Sequence, residues 1–360
     1  MSHPEPLSPS YVVARAAFRD AATSAGATMR SWTHPEVGPD GEELAVDVAE
    51  LGPAEATDVV VVVSATHGVE GYCGSALQRH WLTHHAADRP AHVGVALVHA
   101  FNPYGFAWVR RVNEDNVDLN RNFVDWTSPD GPPSNPDYAE IAELLVPADW
   151  SEAEQERTTA ELMTRAMEVG LERFQEIVSG GQYDHPTGIF HGGTAPTWSH
   201  RWLREWASGH LAAAERLTII DLHTGLGPWG HGELISHAAP GDPQYDRANA
   251  RWTGVRSFHA GDSVSAQLSG DWLGIVHELA PGAEVTPIAI EYGTVDTIQV
   301  LQALRADAWL HAHGDPTGPD APAVRAQVRA AFADDDPSWI ATCWPRFHEV
   351  ISASLSASTN

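Results

Sequence analysis

The feature that most constrains this chain is the run from Asp58 to Thr66, DVVVVVSAT. Five successive valines with no polar alternation suit a strand buried on both faces, since a half-exposed strand alternates and β-branched side chains pack well on a pleated surface. Strands of that kind belong to sheets covered by helices on both sides. Three further apolar runs, 92–100 (HVGVALVHA), 216–225 (RLTIIDLHTG) and 286–294 (TPIAIEYGT), predict companion strands. The alternating segment 44–51 predicts a strand with one solvated face. Apolar residues at helical spacing predict helices at 9–26 and 74–82, at about 240–254, 296–313, 319–333 and 338–356, and one long helix over 151–180. Ser151 and Glu154 match a capping box at its start. Strands alternating with helices give an α/β fold, with a mixed, mostly parallel β-sheet flanked by helices. The chain reads as a single domain over 1–360, with its core at about 55–300, an N-terminal helix and hairpin before it and C-terminal helices after it. Pro and Gly cluster at 127–137 and 179–196, read as loops, and the acidic 334–336 reads as a solvated turn.

Composition removes several function classes. The net charge is −27, so the surface repels phosphate backbones and no nucleic-acid partner is expected. All 21 basic residues are arginine, which excludes a catalytic lysine, a Schiff base and a P-loop. No G-x-S-x-G marks a serine hydrolase. Cys73 and Cys343 are the only cysteines and read as buried small hydrophobes. No run is long and apolar enough for a membrane span, and the N-terminus does not read as a signal peptide, so a cytoplasmic location is expected.

Sheets of this kind collect ligands at the carboxyl ends of their strands. Here those ends carry polar residues that a core would reject. The valine strand delivers His67 and Glu70, the strand at 216–222 delivers His223, and 287–290 delivers Glu291. Two imidazoles and one carboxylate leave a coordination position open, as in a catalytic rather than a structural zinc site. Thr66, Asp221 or a main-chain carbonyl would orient the histidines. The glycines around Glu70 would let the backbone turn sharply enough for both ligands to reach one ion. Glu291 ends an apolar strand and suits a general base beside the metal. The strand near Ala100 delivers RRVNEDNVDLNRNF, in which Arg110 reads as a surface ion pair. Asn120 and Arg121 follow an apolar VDL and suit substrate binding, because guanidinium groups grip carboxylates bidentately. Tyr183, His185 and His191, in GQYDHPTGIFHGG (181–193), are candidates to line a pocket, with packing of the loop as the bland reading for each, and His231 and His237 could join the site or equally cap or pack.

His67-x-x-Glu70, NPYG, the arginine before DLNRNF, DLHTG and IEYGT together resemble the zinc carboxypeptidases of the carboxypeptidase A superfamily, over about residues 55–300. THGVEG and DLH are equally similar to its aspartoacylase and succinylglutamate desuccinylase branch. The resemblance implies one Zn²⁺ per chain on His67, Glu70 and His223, with Arg111 polarising the scissile carbonyl. It also implies that Asn120 and Arg121 hold a substrate carboxylate while Glu291 activates water. The implied activity is hydrolysis of an amide bond adjacent to a free carboxylate, in a small peptide or an N-acyl amino acid. One departure stands out: no tyrosine lies between Tyr245 and Tyr292, where the carboxypeptidases carry a mobile one.

Overall fold

Eight strands form one sheet in the computed structural model, which describes residues 3–265 and 268–357. In chain order they are β1 (Thr28–Val37), β2 (Glu43–Leu51), β3 (Asp58–Val63), β4 (Gly94–His99), β5 (Arg216–Trp229), β6 (Gly232–Ser236), β7 (Val255–Ser257) and β8 (Glu284–Gly293). The order across the sheet is β1-β2-β4-β3-β5-β8-β6-β7. The four central strands, β4, β3, β5 and β8, run parallel, and these are the four apolar runs of the sequence. The antiparallel pairs lie outside them, at β1–β2, β2–β4 and β6–β8.

The valine strand is buried on both faces, and its alternate side chains enter two different cores. Val60 and Val62 pack with Leu77, Trp81, Ile220, Leu222, Trp339 and Phe347 under the helices Tyr11–Ser24, Gly71–His84 and Pro337–Ala357. Val61 and Val63 pack with Ile219, Trp202, Trp206 and Trp272 on the other face, which the helix Trp198–His210 covers. A third cluster, around Tyr138, Leu145, Leu162, Leu304 and Phe332, is built largely from helices.

Several elements depart from the expectations. The strand at 44–51 has no solvated face over 44–49, where every side chain is buried between β1 and β4 and under covering helices. The predicted helix over 151–180 is two helices, Glu152–Val169 and Leu171–Ser179, broken at Gly170 with φ +89. Apolar periodicity continues across such a break, so only the glycine signals it. The capping box does not form, because the Ser151 hydroxyl donates to Asp149 Oδ2 (3.0 Å) instead of capping the helix. The helix Trp198–His210 and the strands β6 and β7 were not anticipated; tryptophans and histidines blur the apolar pattern of the helix, and the strands, GELIS and VRS, are too short to show one.

Candidate metal centre and its cavity

The chain leaves β3 through Ala65, held in the left-handed region at φ 60, and Ala100 at the end of β4 does the same at φ 64. Non-glycine residues adopt that conformation at a cost, and the surrounding hydrogen bonds hold it. Phe101 N–H donates to Ser64 O (3.0 Å) and Asn102 N–H to Ala65 O (2.8 Å), so the two strand ends are tied together. Beyond them, His67 leads into one 3₁₀ turn, Gly68–Glu70, which runs directly into the helix Gly71–His84. Gly68 N–H donates to Arg111 O (3.0 Å) and Val69 N–H to Arg110 O (2.8 Å), bringing the arginine segment against the ligand loop.

The role of the glycines differs from the expected sharp turn. Neither Gly68 nor Gly71 has a positive φ. A Cβ on Gly68 would run into the backbone of Gly105, and one on Gly71 into Ala65 and Phe106. They are required for close approach between segments.

His67, Glu70 and His223 converge, each offering a ligand atom within 4.8 Å of the others, and all three are buried. His67 Nδ1 lies 2.9 Å from Glu70 Oε1, and His223 Nδ1 lies 3.0 Å from Glu70 Oε2 and 3.2 Å from His67 Nδ1. Each imidazole turns its other nitrogen to a carboxylate: His67 Nε2 to Asp118 Oδ1 (3.2 Å) and His223 Nε2 to Asp221 Oδ2 (2.7 Å). Asp221 is itself fixed by the Thr66 hydroxyl and the Trp272 indole N–H, both donating at 2.7 Å. Asp221 was anticipated as a partner of a histidine; Thr66, a candidate for the same part, bonds Asp221 instead. Asp118 was not anticipated, although it sits in the DLNR motif; nothing in a linear pattern separates a carboxylate that orients a histidine from one on the surface.

This donor set fits a divalent cation. With a proton on each Nε2 facing its carboxylate, both Nδ1 atoms present bare lone pairs to one point, alongside a carboxylate. Such an arrangement repels itself without a positive charge. The separations of 2.9–3.2 Å approach the edge of a tetrahedron, about 3.3 Å for zinc–ligand bonds near 2 Å. Around the triad, the carboxylates of Glu70, Asp118 and Asp221, with Glu291 and Asp271 near them, outnumber the guanidinium groups of Arg111 and Arg121. The same imbalance drives a proton toward the His223 imidazole. Burial opposes charge on His223, but Asp221 and Glu70 outweigh it and raise its pKa well above the ordinary histidine value. Burial likewise works against Glu70 ionisation, and the two histidines more than offset it.

Glu291 lies directly across from His223 in the parallel pairing of β8 with β5, so both side chains share one face of the sheet. Its Oε1 accepts from Leu226 N–H (2.9 Å). Burial and the neighbouring Glu70 charge push its pKa up to about 7. A cation on the triad would offset the Glu70 charge and draw that value down.

The arginines divide. Arg111 donates from Nη1 to Glu70 (3.1 Å) and from Nε to Asp118 (3.0 Å), which places it against the triad. Arg121 is buried, donates from Nε to Ser179 O (3.1 Å) and from Nη1 to Asn120 O (2.9 Å), and both guanidinium groups lie 5.3 Å from the Phe190 ring centre. Arg110 is the correction: it is buried in a paired Nε contact with Asp307 (3.0 and 3.1 Å) and donates to Asn116 Oδ1 (2.9 Å), joining its loop to the helix Thr297–Ala312.

A cavity of about 430 Å³ opens over the triad, lined by His67, Arg111, Asn120, Arg121, His223 and Glu291 among others. Tyr183 and His191 are not part of its lining. The Tyr183 hydroxyl donates to Arg121 O (2.7 Å) and His191 O accepts from Asp118 N–H (2.8 Å), so both support the arginine segment from behind. His185 is also outside the lining, packed against Tyr138 with ring centres 5.5 Å apart, and His231 is exposed. His237 does line the cavity, with Nδ1 3.0 Å from Asp271 Oδ2.

A sequence-family profile described as "Protein of unknown function (DUF2817)" matches residues 7–346. The chain belongs to that family. No curated protein matches it in sequence. Among solved structures, it is similar to bovine thrombin-activatable fibrinolysis inhibitor in complex with tick carboxypeptidase inhibitor (10% identity, TM-score 0.42, covering 95% of this chain and 97% of that one). It is also similar to an aspartoacylase family protein from Mesorhizobium loti (15%, TM-score 0.41, 80% and 67%). A third is the succinylglutamate desuccinylase from Chromobacterium violaceum (17%, TM-score 0.36, 87% and 76%).

Proposed function

We propose that this protein is a zinc-dependent hydrolase that cleaves an amide bond adjacent to a free carboxylate. The observation that carries the reading is the convergence of His67, Glu70 and His223, with a carboxylate behind each imidazole and Glu291 opposite His223 on the next strand. His67, Glu70 and His223 would hold one ion, which when bound supplies Lewis acidity to a carbonyl oxygen and to water. Glu291 takes the proton from the attacking water and returns it to the departing nitrogen. Arg111, beside the triad, stabilises negative charge developing on the carbonyl oxygen. Arg121 and Asn120 hold the substrate carboxylate, and Asp118 and Asp221 keep the imidazoles oriented. The same residues serve a carboxypeptidase-like reaction and the deacylation of an N-acyl amino acid.

The test is metal content by mass spectrometry, paired with turnover of dipeptides and N-acyl amino acids with and without chelator. About one zinc per chain and chelator-sensitive hydrolysis are expected. Glu291→Gln should keep the metal and lose activity by ~10²–10⁴-fold. A Glu291→Gln protein with full activity would remove the mechanism, and a folded protein that takes up no zinc would remove the reading.

A further inference from the structure

The cavity is far more apolar than a site for small polar substrates requires. Beyond the polar residues near the triad, its wall is supplied mainly by helices: Met163, Ala166, Leu171 and Phe174 from the pair broken at Gly170, and Leu301 and Leu304 from Thr297–Ala312. The apolar lining continues to the solvent. Met163, Leu171 and Ile298 line the cavity yet are 43%, 71% and 55% exposed, placing them among the few large hydrophobic side chains at the surface. At the other end, Asn120 Oδ1 is a buried acceptor with no hydrogen bond among the described residues, next to Arg121.

We propose that the substrate is an N-acyl amino acid whose acyl group is an unbranched aliphatic chain longer than acetyl, bound with its amino-acid end at Arg121 and Asn120 and its chain along the helical wall. This rests on the amide-hydrolase reading above. A carboxylate suits Arg121, and the amide N–H of such a substrate would satisfy Asn120 Oδ1. A dipeptide would instead bring an ammonium group toward the apolar wall, at the cost of an unpaired buried charge. The cavity of about 430 Å³, open to solvent along its apolar wall, has room for an acyl chain beyond the amino-acid end. The reaction adds water across the amide, releasing the fatty acid and the free amino acid.

The experiment measures kcat/KM of the zinc-loaded full chain on N-acylglycines from acetyl to dodecanoyl. The expected result is a rise of about fourfold per methylene that levels once the chain has filled the cavity. Equal or better turnover of N-acetylglycine would overturn the assignment while leaving the hydrolase reading intact. Binding of the same series to Glu291→Gln by calorimetry separates the two. Affinity that rises with chain length supports the assignment even if no amide is turned over; affinity indifferent to length overturns it. Ala166→Phe should move the optimum to shorter chains, and Met163→Glu, at an exposed position that tolerates a charge, should weaken octanoyl binding more than acetyl binding. A length profile unchanged in both variants would also overturn it.

Discussion

Asp118 is the residue whose removal tests the electrostatic design of the centre most directly. It accepts from His67 Nε2 (3.2 Å), Arg111 Nε (3.0 Å) and its own loop at Asn120 N–H (2.9 Å), and Arg121 Nη1 stands 3.9 Å away. Burial opposes its charge, but Arg111, Arg121 and His67 hold its carboxyl well below the usual carboxylate range. Asp118→Asn keeps the shape and one acceptor oxygen while removing the charge. Two consequences follow. The carboxylate that fixes the His67 tautomer is lost, and partners of that type are worth ~10–100-fold in metal affinity. Arg121, whose buried guanidinium has the Asp118 carboxylate 3.9 Å away, keeps only the more distant Asp271, and weakening a buried pair in this way costs up to about 3 kcal/mol. Competition titration against a chromophoric chelator should show the loss of zinc affinity, and urea unfolding of the apo-protein should show the loss of stability. Wild-type zinc affinity in Asp118→Asn would refute the view that this carboxylate orients His67. A loss of affinity with unchanged stability would refute the pairing with Arg121 but not the first point.

Three further outcomes are expected. Zinc at 100 times its Kd should stabilise the wild-type fold by about 2.7 kcal/mol, read as a raised Tm that a chelator reverses, and the gain should vanish in His223→Ala. Gly68→Ala should cost about 3 kcal/mol or abolish folding, because its Cβ meets the Gly105 backbone; a stable, zinc-binding Gly68→Ala protein would contradict the close packing of these two loops. His99 is fully buried, stacked on Phe18 at 4.5 Å, and burial lowers its pKa from 6.5 to about 4. Because the unfolded chain takes up that proton first, the stabilisation from neutral His99 is complete above pH 6.5 and is lost as pH falls toward 4, about 3 kcal/mol in all. Denaturant titrations should therefore show wild type losing about 3 kcal/mol relative to His99→Phe as pH falls from 6.5 to 4, and parallel pH profiles would count against it.

Much of the centre was legible in the linear sequence because strand and ligand are adjacent there. An apolar β-branched run suits a helix-covered sheet, and the histidines and glutamates past such runs stand out only as a set, since His99, at the end of β4, packs in the core. Hence β3, β4, β5 and β8, and with them His67, Glu70, His223 and Glu291, follow from local pattern. Asp118 was not legible in that role, because its part depends on the approach of a loop 51 residues from His67. Arg110 and Arg111 are neighbours of the same chemistry, and only the fold sends one to Asp307 on a distant helix and the other to the triad. Tyr183 and His191 sit one layer behind the cavity for the same reason, since their loop packs on Arg121 rather than facing the space above the ions' ligands. The sequence alone determined the chemistry available, since strand periodicity is local and ligand types are few. The tertiary structure decided the shape and polarity of the space above that chemistry, because helices from residues 152–179 and 297–312 meet there only through long-range packing.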